Sequence, residues 1–337
     1  MKALPGMKFL TNFNMQLIID SYGIDLAIDN NRLTIQKGGV VKHLVPSKLT
    51  AIHVFTSCTL TSPVVVWAAV NDIPMLLYNN KGQVAARLWQ PHFGSHAAIR
   101  IRQIHFCQSA DACIWLKQLL LKKAIAQLHL HKQLPVQSNH AIITERISIL
   151  VNRLKNDTGI NLNWLRSIEA GISRWYWAGV AHALRNHIKL NPRKIRPAKD
   201  KFNALLNYLY GTLYGIVEGC LLAAGLDPHI SIMHRMEYNT PSFVFDVIEP
   251  FRHWADEFLV QQVLKGALKP GYTEEKNGTI LLTPEGKKAI LTQWFIYLNE
   301  RIAAPKKMIK RKDQVQQLCS GLAAQLLKQH KELNKSK

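Results

Sequence analysis

The chain has 337 residues, long for a single hydrophobic core, so two domains are expected. Lysine and arginine number 43 against 22 acidic residues, a formal charge of +21 that exceeds what solubility requires and points to a polyanionic partner. Nucleic acid comes first, because the basic residues are spread through folded sequence rather than gathered on one amphipathic helix. Five scattered cysteines without a C-x-x-C pair argue against a disulfide framework or zinc ribbon. There is no secretory signal pattern, and the apolar run from Val64 to Tyr78 is broken by Asn71, Asp72 and Pro74, so a cytoplasmic protein is expected.

Residues 1–90 read as short strands. Met15 to Ile19 and Ile24 to Ile28 flank the turn Asp20-Ser21-Tyr22-Gly23, and Arg32 to Gln36 alternates before Lys37-Gly38-Gly39 leads into Val40 to Val45, which predicts a small antiparallel sheet. Ala51 to Phe55 is a further strand, Pro63 to Val70 a buried helix, and Met75 to Tyr78 and Val84 to Trp89 are strands joined by Asn79-Asn80-Lys81-Gly82. From about Ser95 the apolar residues recur three and four apart, through Ile99, Ile104, Ile114, Leu119 and Ile125. Further helices are expected over Ala141 to Lys155, Leu162 to His187, Phe202 to Ala224, Val247 to Leu268, Glu285 to Ile302 and Gln314 to Leu333. The reading is α+β, with an N-terminal antiparallel β-domain at 1–90 and a larger all-α catalytic domain at 91–337.

Two basic clusters fall between helices. One holds Lys189, Arg193, Lys194, Arg196, Lys199 and Lys201 around Pro192 and Pro197; the other holds Lys306, Lys307, Lys310, Arg311 and Lys312. Most such runs are solvated loop charge, but here they add to a large positive balance, so phosphate contacts are expected from Arg193, Lys194, Arg196, Lys199, Lys306, Lys307 and Arg311.

Acidic residues inside apolar sequence are few enough to weigh singly. Glu169 lies in a helical segment with Trp164, Trp175, Tyr176 and Trp177; the alternative is an exposed glutamate or one paired with Arg166 or Arg174. His234 follows Ser231-Ile232-Met233 after the helix stop Gly225-Leu226-Asp227-Pro228, and a lone histidine there is usually structural. Soon after come Asp246 and Glu249, three apart and able to share a helical face, or to form a capping box, or, with Pro250 at the first helical position, to leave Glu249 as the cap. Two carboxylates and an imidazole suit Mg²⁺ or Mn²⁺, which polarises a phosphodiester for in-line displacement. By spacing alone the signal is weak. Asn203 and Asn207 lie one turn apart on an apolar helix, where Asn203 reads as a cap or part of a buried network, or as pointing toward the metal cleft.

The order Asn203-Ala204-Leu205-Leu206-Asn207-Tyr208, Leu222-Ala223-Ala224-Gly225-Leu226-Asp227-Pro228, His234, Pro241-Ser242 and Asp246-Val247-Ile248-Glu249-Pro250-Phe251-Arg252 closely resembles the CRISPR-associated integrase family, the first of the Cas series. Ile168-Glu169-Ala170 with Tyr176-Trp177 resembles that family's first acidic motif, so the likeness covers essentially the whole chain. It departs at Ser231-Ile232-Met233, where the family often has glycine and phenylalanine, and at Ala170, where glycine is common.

The resemblance implies that Glu169, His234 and Glu249 are catalytic and ligate the Mg²⁺ or Mn²⁺ ion, supported by Asp246, Arg252 and Asn203. It implies a homodimer holding a short duplex of foreign DNA, whose 3′-hydroxyl ends attack the CRISPR repeat by transesterification, with the N-terminal domain in dimerisation and DNA contact. A small second Cas protein bridges two such dimers in that family. A structure-selective nuclease of branched repair intermediates is the alternative on the same metal, and a non-catalytic DNA scaffold is supported by charge alone.

Overall fold

Short strands rich in isoleucine, leucine and valine form the N-terminal part of the computed structural model, which describes residues 7–9, 15–79, 84–88, 96–136, 138–158, 160–193, 197–304 and 307–333. In chain order these strands are β1 (Met7–Phe9), β2 (Met15–Ile19), β3 (Asp25–Asp29), β4 (Arg32–Lys37), β5 (Val40–Leu44), β6 (Leu49–Val54), β7 (Thr59–Leu60), β8 (Met75–Tyr78) and β9 (Val84–Leu88). Helix α1 (Ser62–Val70) lies between β7 and β8.

They make two sheets, ordered β1-β2-β6-β8-β9 and β5-β4-β3-β7. The expected antiparallel pairing holds for β3 with β4 and β4 with β5, the first joined by Asn30 and Asn31 at φ 47° and 58°, as a tight hairpin needs. It does not hold between the strands on either side of residues 20–23. That turn hands the chain from β2 in one sheet to β3 in the other, and β2 pairs parallel with β6, which pairs parallel with β8. Parallel neighbours need a crossover, and α1 lies in the one from β6 to β8. The apolar faces of both sheets and of α1 meet in one core containing Leu17, Ile24, Leu33, Ile52, Val64 and Met75. Trp67 of α1 ties into it by donating its indole N–H to the Asn31 side chain at 3.0 Å.

The remaining helices are α2 (His96–Cys107), α3 (Ala110–Gln133), α4 (His140–Asn156), α5 (Leu162–Leu184), α6 (Lys201–Ala223), α7 (Ser242–Val247), α8 (Arg252–Leu264), α9 (Pro284–Asn299) and α10 (Arg311–Leu333). Two hairpins interrupt them, β10 (Thr273–Lys276) with β11 (Thr279–Leu282), and β12 (Arg301–Ala304) with β13 (Lys307–Lys310). The chain divides into two compact units, residues 1–94 with 290–312, and residues 95–289 with 313–337. The first unit thus includes the end of α9, where Phe295 packs its ring 5.5 Å from the buried His53 and 6.2 Å from Phe55.

Two of the departures from the expected helix ends have a visible cause. The segment expected as one helix from Val247 to Leu268 breaks at Glu249-Pro250-Phe251, a 3-10 turn, because proline has no N–H to continue the ladder. The helix expected to reach Ile302 ends at Asn299, since Ile302 pairs with Ile309 across the β12–β13 hairpin.

Candidate active site

Helix α5 starts at Asn161, whose side chain accepts the N–H of Trp164, and it buries Leu165, Ile168, Ile172, Tyr176 and Val180 at helical spacing. Glu169 sits at the margin of that face with its side chain 27% exposed, and its Oε1 accepts from the Ser173 hydroxyl at 2.8 Å. Facing it is α3, whose buried stripe runs through Leu116, Leu119, Leu120, Lys123, Ala124 and Gln127. A lysine therefore stands within an apolar face. The two helices approach closely because position 179 is glycine: a Cβ there would lie 2.5 Å from the His131 ring of α3.

The Lys123 ammonium meets two carboxylates, Glu169 Oε1 at 2.5 Å and Glu249 Oε2 at 2.6 Å. The break after α7 carries Glu249 inward, where it is 3% exposed. Its Oε1 accepts from Arg252 Nε at 2.7 Å, and Arg252 also donates to the Tyr214 hydroxyl at 3.0 Å and lies over the Tyr210 and Tyr214 rings. Burial alone raises a carboxyl pKa, but Arg252 and Lys123 outweigh it and hold Glu249 at about 2, so the carboxylate stays an anion. Burial likewise works against the Lys123 charge, and Glu249 and Glu169 overcome it and raise that pKa.

His234 is presented by a loop fixed from several sides. Gly225, at φ 79°, ends α6 with a conformation other residues disfavour. The buried Gln103 of α2 then clamps the next turn, donating to the carbonyls of Asp227 and Ile230 and accepting the Asp227 N–H. Asp246 of α7, fully buried, accepts the backbone N–H groups of Ile232, Met233 and His234 and faces His234 Nδ1 at 2.6 Å. A carboxylate only accepts, so Nδ1 carries a proton and donates it to Asp246, which makes Nε2 the ring nitrogen that could serve as a metal ligand. Arg166, one turn before Glu169, donates to the Met233 carbonyl and so ties this loop to α5.

Asp246 therefore does not cap a helix: it and Glu249 are both buried, and Asp246 organises the histidine loop. Among the described residues no group of three or more His, Cys, Asp and Glu side chains is already arranged to hold a metal ion. The donor chemistry present nonetheless suits a hard cation: two carboxylates from separated segments converge on one cationic centre, the ammonium of Lys123, which stands in for such an ion. Behind the site lies a second buried acid. Asp256 accepts from the Tyr210 hydroxyl at 2.5 Å, and burial raises its pKa to about 6 against the opposing effect of that bond and of Lys123.

Asn203 belongs to a buried network at the start of α6. Its N–H and side-chain amide donate to Asp200, the cap residue, at 2.7 Å each, and Arg193 donates to its Oδ1 at 3.1 Å. Arg193 also lies over Trp177 and Tyr210. Lys199 is exposed and reaches the Gly278 carbonyl at 2.9 Å. In the other unit Arg311 donates to Glu300 at 2.6 Å and to the Tyr297 carbonyl, with its guanidinium 3.7 Å above the Tyr297 ring, while Lys307 opens β13. Lys194, Arg196 and Lys306 fall outside the described residues.

Lys123 and Gln103 were not singled out from the sequence, and Arg166 was named there only as an alternative partner of Glu169, whereas it bonds the Met233 carbonyl. Only Lys123 leaves a trace there: it falls three and four residues after Leu120 and Leu119, a charge within an apolar helical stripe.

This fold, a two-sheet β-unit and a helical unit that carries paired acids and an Asp-held histidine, defines the class. The profile of the family described as CRISPR associated protein Cas1 matches residues 17–295, and the chain belongs to that family. It is 24% identical over 315 residues to CRISPR-associated endonuclease Cas1 1 of Thermodesulfovibrio yellowstonii, covering 88% of this chain and 98% of the relative. It is also 24% identical over 296 residues to CRISPR-associated endonuclease Cas1 1 of Thermus thermophilus, covering 86% and 89%. Among solved structures, a Cas1 protein from Thermotoga maritima superposes with TM-score 0.75 at 17% identity over 93% of this chain and 97% of that one. A casposase bound to integration product gives 0.73 at 19% over 92% and 91%. The chain also matches 36% of a chain in a Cas6-RT-Cas1–Cas2 complex, with TM-score 0.75 at 18% identity over 96% of its own length. These likenesses are of fold.

Proposed function

We propose that this chain is a metal-dependent DNA integrase and endonuclease of CRISPR adaptation, with Glu169, His234 and Glu249 as the ligands of one Mg²⁺ or Mn²⁺ ion. The observation that carries the reading is the meeting of Glu169 and Glu249, 80 positions apart in the chain, on a single cationic centre. His234 adds a neutral nitrogen donor, kept in the right tautomer by Asp246 and tied to the Glu169 helix through Arg166. A divalent ion bound there supplies polarisation of the phosphodiester and stabilises charge on the entering and leaving oxygens. The protein's own part is to keep Glu249 ionised through Arg252, fix the imidazole and present DNA to the site.

The substrate is double-stranded DNA: a short prespacer duplex whose 3′-hydroxyl ends are joined to the CRISPR repeat by transesterification. The formal charge of +21 supports a phosphate-rich partner, and Arg193, Lys194, Arg196, Lys199, Lys306, Lys307 and Arg311 are the basic residues proposed to meet it. The N-terminal β-unit serves dimerisation and DNA contact. The working assembly is a homodimer, two of which are bridged by a small second Cas protein, a partner suggested by the Cas6-RT-Cas1–Cas2 complex among the structural neighbours. Among the described residues no helix is long and apolar enough to cross a membrane.

The test is strand transfer of a labelled short duplex into a plasmid carrying the repeat, alongside one carrying a scrambled repeat, with Mn²⁺ or Mg²⁺. The reading predicts joined products dependent on the repeat and on the metal. Cleavage of branched DNA without joining, indifferent to the repeat, would instead indicate a nuclease of repair intermediates.

A further inference from the structure

Lys123 is 6% exposed and bonded to both carboxylates of the proposed metal site. An ammonium nitrogen 2.5 and 2.6 Å from those oxygens fills the volume that a divalent ion, about 2.1 Å from the same oxygens, would need. Ion and ammonium exclude each other. The charges agree with that: Lys123 and Arg252 balance Glu169 and Glu249, so adding two further positive charges beside an unmoved ammonium is opposed by repulsion in a buried setting.

The structure also offers the ammonium somewhere to go. Lys123, Gln127 and Glu169 line one small cavity, walled on its other sides by Leu120, Leu154 and Ile172. Gln127 follows Lys123 by one helical turn, so the two side chains are neighbours on α3. Its Oε1 is buried, on a residue 2% exposed, and accepts no hydrogen bond from the described residues, a costly condition for a carbonyl oxygen. A lysine stem has enough rotatable bonds to carry its nitrogen from one acceptor set to another a few ångströms away, and a glutamine carbonyl suits an ammonium donor.

We propose that Lys123 is a two-position ammonium guarding the metal site: it bridges Glu169 and Glu249 when no divalent ion is bound, and it turns to the Gln127 carbonyl when one is. The inference rests on the reading of Glu169 and Glu249 as metal ligands. Lys123 is then a positioning residue. It holds two like charges together in the metal-free protein and makes the binding of metal a displacement, with Gln127 lowering the cost of the displaced state.

The test is a double-variant cycle on the full chain, read as Mn²⁺ affinity by titration calorimetry and as the Mn²⁺-induced rise in melting temperature. Lys123→Met removes the competitor and is expected to tighten Mn²⁺ binding about tenfold or more. Gln127→Met removes the second acceptor and is expected to weaken binding roughly fivefold in the otherwise native chain. In the Lys123→Met background the Gln127→Met change is expected to have no effect, because no ammonium is left to receive. Glu169→Gln and Glu249→Gln separate the two levels of the reading. If both bind Mn²⁺ like the native chain, the metal assignment fails and this inference with it. If both lose Mn²⁺ while Lys123→Met binds no more tightly than the native chain, the ligand assignment stands and the guarding role is overturned. Equal effects of Gln127→Met in both backgrounds overturn the second position. Should Lys123→Met not fold in metal-free buffer, Lys123→Gln takes its place, and recovery of either in millimolar Mn²⁺ is expected. Failure of Mn²⁺ to restore both contradicts the idea that the ion replaces the ammonium.

Discussion

The Asp246 carboxylate lies 2.6 Å from the His234 imidazole and at the same time accepts three consecutive backbone N–H groups, from Ile232, Met233 and His234. One buried acid thus sets both the path of the loop and the tautomer of the histidine it carries. Asp246→Asn keeps the shape but replaces an acceptor oxygen with an amide donor facing those N–H groups. The expected outcome is a loss of about 1–3 kcal/mol in stability and a 10- to 100-fold loss in strand transfer. Urea unfolding and the plasmid assay measure the two; native stability with native activity would mean that the carboxylate does not organise this loop.

Arg252 is the other support of the site. Its guanidinium is the partner that keeps the buried Glu249 ionised, and it is held in turn by Tyr214 and the Tyr210 ring. Arg252→Met leaves Glu249 to Lys123 alone, and removing one partner of a buried pair typically costs about 3–5 kcal/mol. Arg252→Lys keeps a charge but loses the planar fork that reaches Glu249 and Tyr214 together, so an intermediate loss is expected. Chemical denaturation of both variants checks the ranking; equal losses would show that geometry, not charge, is what Arg252 supplies, and a lysine variant as stable as the native chain would show the reverse.

In the first unit, burial, aided by Lys312 and Arg87, pushes the His53 imidazole from 6.5 down to about 3. The unfolded chain takes up a proton near pH 6.5 and the folded one only near pH 3. Its contribution is therefore fully present above pH 6.5 and is lost as pH falls from 6.5 toward 3, reaching about 2 kcal/mol at pH 5. His53→Phe removes the titrating group while keeping a ring beside Phe55 and Phe295. Melting temperatures at pH 7.5 and 5 are expected to differ less in the variant than in the native chain.

Asp256 carries the opposite sign. Burial raises its pKa from 3.8 to about 6, so the folded protein holds a proton that the unfolded chain has released. Stability from this group is full below pH 3.8 and is lost as pH rises through 6, a change on the order of 3 kcal/mol. Asp256→Asn retains an acceptor for the Tyr210 hydroxyl without the charge. The variant is expected to gain on the native chain as pH rises from 4 to 7, measured by urea midpoints; a constant difference across that range would place the Asp256 pKa elsewhere.

Periodicity made the strands of the N-terminal part and most of the helices legible, because both depend on where apolar residues repeat along a short stretch. Sheet pairing did not follow. Residues 20–23 have the chemistry of a hairpin turn, yet β2 finds its partner in β6, about 30 residues on, a choice made by burial in the core shared between sheets. The hairpins at 273–282 and 301–310 were missed for a similar reason, since they are short and lie beside strong helical patterns. At the site, Glu169, His234, Asp246 and Glu249 stood out as polar groups within apolar surroundings, and the family resemblance gave them roles. The links among them were not legible. Gln103, Lys123 and Arg166 act across 46 to 127 positions of sequence, through contacts that no local spacing encodes.

The central claim is that Glu169, His234 and Glu249 hold one divalent ion and that this ion is required for joining DNA ends. The most direct measurement is Mn²⁺ titration by calorimetry on the native chain and on Glu169→Gln, His234→Gln and Glu249→Gln, each assayed in parallel for strand transfer into the repeat. One tight site in the native chain, weakened in all three variants together with strand transfer, is the predicted result. Three variants that bind Mn²⁺ and join DNA as the native chain does would contradict it.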